Sequence, residues 1–363
     1  MKRNNSILMI AICFLLLASL GLGLAFYPQR EYSANENRWL QKMPEVSIQS
    51  LLDGSFTSKF EQMCSDQVLF RDQWIAARSQ VLRWAGNQDI GGIYLGDNGF
   101  LFECHTDADV LTSRYEKNLS YVNSLVSKTC VPCTVMLVPG ASDVLPDLLP
   151  EHHQQYDTEK AFSMAQSALT DCSFLDLRSE LGAMRKEAYY RTDHHWTMKG
   201  AMQGYRAWCD AAGLEVRDHA LTTVAEDFRG TLYSKVLLNE CAYDTIALPA
   251  EPEGIACLAD GEQIPVYHLE KLEEKDKYTV LFGGNYGRLD ISGGNGGSLL
   301  IIKDSYANAF VPFIAEDYSK ITMIDLRYFS GSVLAIAGEY DAVLFLYGIS
   351  NFAQDSNLTK LLM

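Results

Sequence analysis

Residues 7–26 are apolar or small throughout and carry no charge. As a helix, such a run is long enough to cross a bilayer. Met1-Lys2-Arg3 places positive charge on its N-terminal side. The positive-inside bias therefore predicts a short cytoplasmic segment over 1–6, an anchor over 7–26, and an extracytoplasmic remainder from 27 to 363. The competing expectation is a signal segment, cleaved near Gly21-Leu22-Gly23 or Gly23-Leu24-Ala25.

Beyond the apolar run the pattern changes. Residues 35–44 are polar and mixed, which predicts an extended stretch. Over 56–84 apolar residues recur at helical spacing (Phe60, Met63, Val68, Ile75, Val81, Leu82), predicting one helix. Residues 90–103 alternate around Gly96, Asn98 and Gly99, predicting a hairpin. Short apolar runs then predict strands at 134–138, 174–177, 278–282, 299–302, 321–324 and 342–346. Amphipathic stretches predict helices at 113–126, 159–169, 197–212 and 306–314. This alternation implies an α/β domain built of right-handed βαβ units, with a parallel sheet covered by helices on both faces. Residues 226–272 break the rhythm and are expected to form a loop-rich insertion.

The chain of 363 residues is 48% apolar and 21% charged, ordinary globular usage. Its formal net charge of −16 argues against nucleic acid, because the counterion-release term that drives phosphate binding would be missing. Nine cysteines are many for a cytosolic enzyme. Cys241 and Cys257 bracket a Pro- and Gly-containing loop that would suit a disulfide, though spacing alone does not fix the pairing. Cys130-Val131-Pro132-Cys133 has redox spacing but runs into a strand, so its expected role is structural.

Two stretches carry candidate chemistry. Thr192-Asp193-His194-His195-Trp196 sets an acid beside two imidazoles. Lys303-Asp304-Ser305-Tyr306 puts a serine where an apolar strand ends. Ser, His and Asp together support nucleophilic acyl chemistry. Each stretch also has a plainer explanation, since Asp193, Asp304 and Ser305 are all common helix caps. Asp-His-His also offers metal-ligand types, but adjacent side chains rarely converge on one ion, so no metal is expected. No nucleotide or flavin motif appears, so no cofactor is expected. Strand ends on the carboxyl edge gather active sites in open parallel sheets. Arg327, Tyr347 and Asn351 follow such strands and are candidates for contact with substrate or a developing oxyanion; the plainer roles are a carboxylate ion pair for Arg327 and core packing for Tyr347.

These stretches resemble the DHHW protein family, which stands with the alginate O-acetylation proteins among SGNH hydrolase-like proteins. Shorter strings carry the resemblance further: Glu36-Asn37-Arg38, Asp66-Gln67 with Arg71, Ile93-Tyr94-Leu95-Gly96, Gly283-Gly284-Asn285, Lys303-Asp304-Ser305-Tyr306-Ala307-Asn308 and Asp325-Leu326-Arg327-Tyr328. The resemblance implies an SGNH hydrolase-like fold, with Ser305 as nucleophile, His195 as base and Asp193 as its orienting acid. His194 fills the variable position of an Asp-x-His-Trp pattern; it is a candidate for the base itself or for a supporting contact. Lys303 departs from the Gly of the SGNH Gly-Asp-Ser block. The activity implied is O-acetyl transfer to a cell-surface polysaccharide, with a membrane-bound O-acyltransferase as acetyl donor. The alternatives are an O-acetylesterase using the same site and a non-catalytic polysaccharide-binding or assembly scaffold.

Overall fold

A computed structural model describes residues 2–36, 38–103 and 105–363; Met1, Asn37 and Cys104 lie outside the described residues. The chain divides into two units, Met1–Asn87 with Ser234–Asn239, and Gln88–Tyr233 with Glu240–Met363.

In the first unit, helix Lys2–Phe26 contains the span Ile7–Leu24, whose mean hydropathy of 2.7 makes it apolar enough to cross a membrane. The helix expected over 56–84 is two helices, Ser55–Asp66 and Arg71–Trp84. They part at Phe70, whose φ of 59° no helix continues through. The strings near 36 and 66 meet here. Arg38 Nη2 lies 2.6 Å from the buried Asp66 and Arg38 Nε 2.7 Å from Glu36, so these residues tie the backbone together.

The second unit is built on eight strands: β1 (Cys133–Val138), β2 (Ser173–Asp176), β3 (Ala256–Ala259), β4 (Glu262–Ile264), β5 (Arg288–Ser292), β6 (Ser298–Lys303), β7 (Lys320–Ile324) and β8 (Ala342–Gly348). Their order is β4-β3-β5-β7-β6-β8-β1-β2. The five strands from β7 to β2 are parallel, as the pattern predicts. β5, β3 and β4 extend them as an antiparallel wing. β6 alternates between two cores: Leu299 and Ile301 join the cluster around Trp196 and Phe310, and Leu300 and Ile302 the one around Tyr115 and Phe352. Covered faces explain why its sequence is a continuous apolar run.

Two expectations are corrected. Residues 226–272 are ordered, not loop-rich. Asp244–Pro249 pairs antiparallel with Leu221–Phe228, and β3–β4 joins the main sheet. The run at 278–282 is a short 3-10 turn, Lys277–Val280. It ends where Phe282 and Gly283 take φ of 59° and 77°, outside the strand region. Cys241 and Cys257 are both buried, but no disulfide joins them. Cys257 lies inside β3, opposite Ile291 and Ile264, so its side chain is used in sheet packing.

Candidate active site

The site is built where two chain segments 110 residues apart are locked together. The first is a tight turn. Tyr189 bridges Trp196, and Thr197 N–H donates to Ala188 O at 2.8 Å. The chain between them must reverse, and Asp193 takes the bend: its Oδ1 accepts the backbone N–H of His195 at 3.0 Å. Helix Met198–Ala212 follows, capped by Thr197 Oγ1. Gly204 lets that helix seat on the fully buried Trp196, since a Cβ there would stand 3.0 Å from the indole. Trp196 Nε1–H then donates to Tyr306 O at 3.1 Å, and Tyr306 hydroxyl to His194 O at 2.5 Å. These bonds dock the turn onto the second segment.

That second segment is the end of β6. Asp304 holds it to the neighbouring strand: Oδ2 accepts Gly348 N–H at 2.9 Å and Asn351 Nδ2–H at 2.8 Å, and Oδ1 accepts Tyr306 N–H at 3.0 Å. Ser305 is presented between this anchor and helix Ala307–Ile314. Its Oγ lies 2.7 Å from His195 Nε2, and His195 Nδ1 lies 2.5 Å from Asp193 Oδ1. Asp193 Oδ2 accepts Thr231 N–H at 2.8 Å and Thr231 Oγ1–H at 3.0 Å. The loop carrying Thr231 comes this close because Gly230 has no side chain; a Cβ would fall 2.2 Å from Asp193 Oδ2.

Burial alone would raise the Asp193 carboxyl. The two imidazoles and the Thr231 N–H outweigh it, holding Asp193 well below the usual carboxylate range and therefore ionised. An ionised carboxylate only accepts hydrogen bonds, so His195 Nδ1 carries the proton and Nε2 points its lone pair at Ser305 Oγ. The three metal-type groups Asp193, His194 and His195 place ligand atoms within 4.8 Å of one another. Both nitrogens of His195 are nevertheless engaged, leaving that ring none to offer a cation.

The remaining candidates divide. Asn351 is at the site, but its amide holds Asp304. Arg327 turns back on its own strand end: Nε and Nη2 lie 2.9 and 2.6 Å from Asp325. That pairing occupies the fork expected to bind substrate. Tyr347 is not at the site and takes the plainer role of core packing: it is buried in the core on the opposite face of the sheet, edge-on to Phe352. His194 lines a cleft beside Tyr306, with Ser142, Ser350 and Asn351.

Sequence reasoning gave Tyr278 and Thr231 no site role, and named Asp304 only as a possible cap and Lys303 only as a departure from the Gly-Asp-Ser block. Tyr278 stacks on His195, and Thr231 and Asp304 hold the acid and the serine loop. The buried Lys303 donates to Asn285 Oδ1 at 2.8 Å and Asn308 Oδ1 at 2.9 Å, with Asp325 3.8 Å away. Burial, opposed by Asp325, lowers its pKa to about 8. The one available signal was a lysine inside an otherwise apolar strand, which needs buried partners. Gly283-Gly284-Asn285 supplies one of them.

Residues 93–242 match the family model described as the SGNH hydrolase-like domain of the acetyltransferase AlgX. Among solved structures, a DHHW family protein from Eubacterium siraeum is 23% identical with a TM-score of 0.62, over 75% of this chain and 93% of its own. PatB1 from Bacillus cereus, solved with a sulfonyl adduct, is 20% identical with a TM-score of 0.62, over 75% of this chain and 98% of its own. No curated protein matches the sequence. The chain thus has the SGNH hydrolase-like fold and is similar to the DHHW and alginate O-acetylation proteins, as its motifs imply.

Proposed function

We propose that the protein is a serine acyl-transfer enzyme that moves O-acetyl groups onto a cell-surface polysaccharide. One observation carries this reading: the unbroken hydrogen-bonded line from Asp193 through His195 to Ser305, at 2.5 and 2.7 Å. Hydrogen-bond reach between nucleophile and base, with the base oriented by a third group, is the signature of an activated serine. Ser305 Oγ attacks the acetyl carbonyl as its proton passes to His195 Nε2. Asp193 steadies the imidazolium so formed. The Ser305 N–H has no hydrogen bond to the described residues, and it stands at the start of helix Ala307–Ile314. That N–H would meet the oxyanion, favoured by the helix dipole. The bond to the donor's alcohol oxygen breaks as His195 Nε2 returns its proton to that oxygen, leaving acetyl-Ser305, which passes to a sugar hydroxyl in transfer or to water in hydrolysis.

The setting follows from the N-terminus. With Lys2-Arg3 before the apolar span, the catalytic unit would face outward, where surface polysaccharide is the available acceptor. The acetyl donor would then be delivered by a membrane-bound O-acyltransferase. The test is covalent labelling. Phenylmethylsulfonyl fluoride should add one sulfonyl group to the wild type, mapped to Ser305 by peptide mass, and none to Ser305→Ala. An unlabelled wild type that also releases no acetate from 4-nitrophenyl acetate would end this reading.

A further inference from the structure

His194 stands outside the line from Asp193 to Ser305 but is wired into it. Its ring centroid is 3.9 Å from that of His195. Its Nδ1 lies 2.7 Å from Thr231 Oγ1, which in turn lies 3.0 Å from Asp193 Oδ2. A threonine hydroxyl has one hydrogen, and an ionised carboxylate can only accept. That hydrogen therefore goes to Asp193. The contact to Thr231 must then be a donation from His194 Nδ1–H. A neutral imidazole has one N–H, so Nε2 is a bare lone pair. Burial, reinforced by the charge His195 can carry, lowers His194 to about 4 and keeps it neutral at ordinary pH.

The hydrogen bond of the His194 ring among the described residues is made by Nδ1, not Nε2, and the ring is not sealed away: the side chain is 29% exposed and lines the cleft beside Tyr306. The polar side chains of that cleft are Glu103, His105, Ser142, His194, Tyr306, Ser350 and Asn351, with Glu103 Oε2 3.5 Å from His105 Nε2; no lysine or arginine lines it among the described residues. A lone pair and a carboxylate repel an anion, while hydroxyls and imidazoles suit a polyol.

We infer that His194 Nε2 is a specificity-determining contact of the acceptor subsite, accepting a hydrogen bond from a hydroxyl of an uncharged polyol, with Glu103 turning carboxylate-bearing acceptors away. The inference rests on the acyl-transfer reading and deepens it. In the second half-reaction the acceptor's reacting oxygen bonds to the acetyl carbon and its proton goes to His195 Nε2. The intermediate collapses, the bond to Ser305 Oγ breaks, and His195 returns the proton to Ser305. His194 gains no proton; it holds the acceptor in reach.

The experiment measures acetyl-enzyme formation from 4-nitrophenyl acetate, as a burst of 4-nitrophenol, and acetyl transfer to a neutral oligosaccharide and to a uronic-acid oligosaccharide. In His194→Ala, transfer to the neutral acceptor should fall by about tenfold more than acylation does, through KM, the worth of one hydrogen bond to a partner left unpaired. His194→Gln, whose amide oxygen can accept, should recover part of it. Glu103→Gln should raise use of the uronic-acid acceptor relative to the neutral one. Equal losses of acylation and transfer in His194→Ala, or an unchanged acceptor KM, overturn this inference alone. A wild type that forms no acetyl-enzyme overturns the acyl-transfer reading and this inference with it.

Discussion

The phenol ring of Tyr278 lies flat on the imidazole of His195, centroids 3.9 Å apart and planes 8° from parallel, while its hydroxyl donates to Ser305 O at 3.1 Å. One side chain therefore braces both the candidate base and the backbone of the candidate nucleophile. Burial raises the phenol well above its usual pKa, so it remains a donor.

Replacing Tyr278 should separate these two roles. Tyr278→Phe keeps the stack and loses one hydrogen bond, which should lower kcat/KM for 4-nitrophenyl acetate by about threefold to tenfold. Tyr278→Ala frees the imidazole and should cost about a hundredfold, the scale of a small misplacement of a catalytic group. Equal losses in the two variants would assign the effect to the hydroxyl instead of the stack.

Ser305→Ala should lower turnover of 4-nitrophenyl acetate by about a thousandfold or more while thermal unfolding shifts by only a few degrees. His195→Ala should cost about as much, and the double variant little more, because the groups act as a unit. Activity within about threefold of wild type in Ser305→Ala would remove Ser305 from the nucleophile role.

Lys303→Met should destabilise the fold by about 3 kcal/mol, read from the urea midpoint at unchanged m-value. The variant fits the volume but leaves Asn308 Oδ1 without its buried donor and Asn285 Oδ1 with only the 3.3 Å donation from Asn308 Nδ2. A stability change under about 0.5 kcal/mol would mean that the two amides rearrange to satisfy each other.

Arg327→Ala should affect small esters and polysaccharide by the same factor. Its guanidinium clamps the buried Asp325, which also faces Lys303. The loss is then one of support, about 1–2 kcal/mol of stability. A selective loss on polysaccharide would return Arg327 to the acceptor site.

His194 makes stability depend on pH. In the unfolded chain an imidazole titrates near ~6.5; in the fold burial holds His194 at about 4. Between these values the unfolded state binds the extra proton, so stability falls as pH drops from ~6.5 to ~4. Its full size is about 3 kcal/mol. His194→Gln should show a shallower decline between pH 7 and pH 4.5 in urea unfolding. An unchanged slope would mean that other groups carry the dependence.

The local signals in the chain were enough for the parallel strands and for the two stretches that meet. β6 and β8 are apolar runs that stop at polar steps, and Ser305 stands at one of those steps. Asp193 and His195 are two residues apart, and one tight turn suffices to join them. Their pairing with Ser305 came through resemblance, because nothing local links positions 110 residues apart. What the tertiary structure decided lies in contacts that no periodicity encodes. β8 is buried on both faces, so its pattern could not tell that Leu346 faces one core and Tyr347 the other. The run at Tyr278 is apolar enough for a strand, yet positive φ at Phe282 and Gly283 ends it as a turn that sets the phenol on His195. Thr231 reaches Asp193 because Gly230 leaves room, and Asp304 holds Ser305 because β8 lies beside β6 in the sheet. Sequence spacing determined which side chains could share a turn or a strand end; the order of the strands determined which of those ends met.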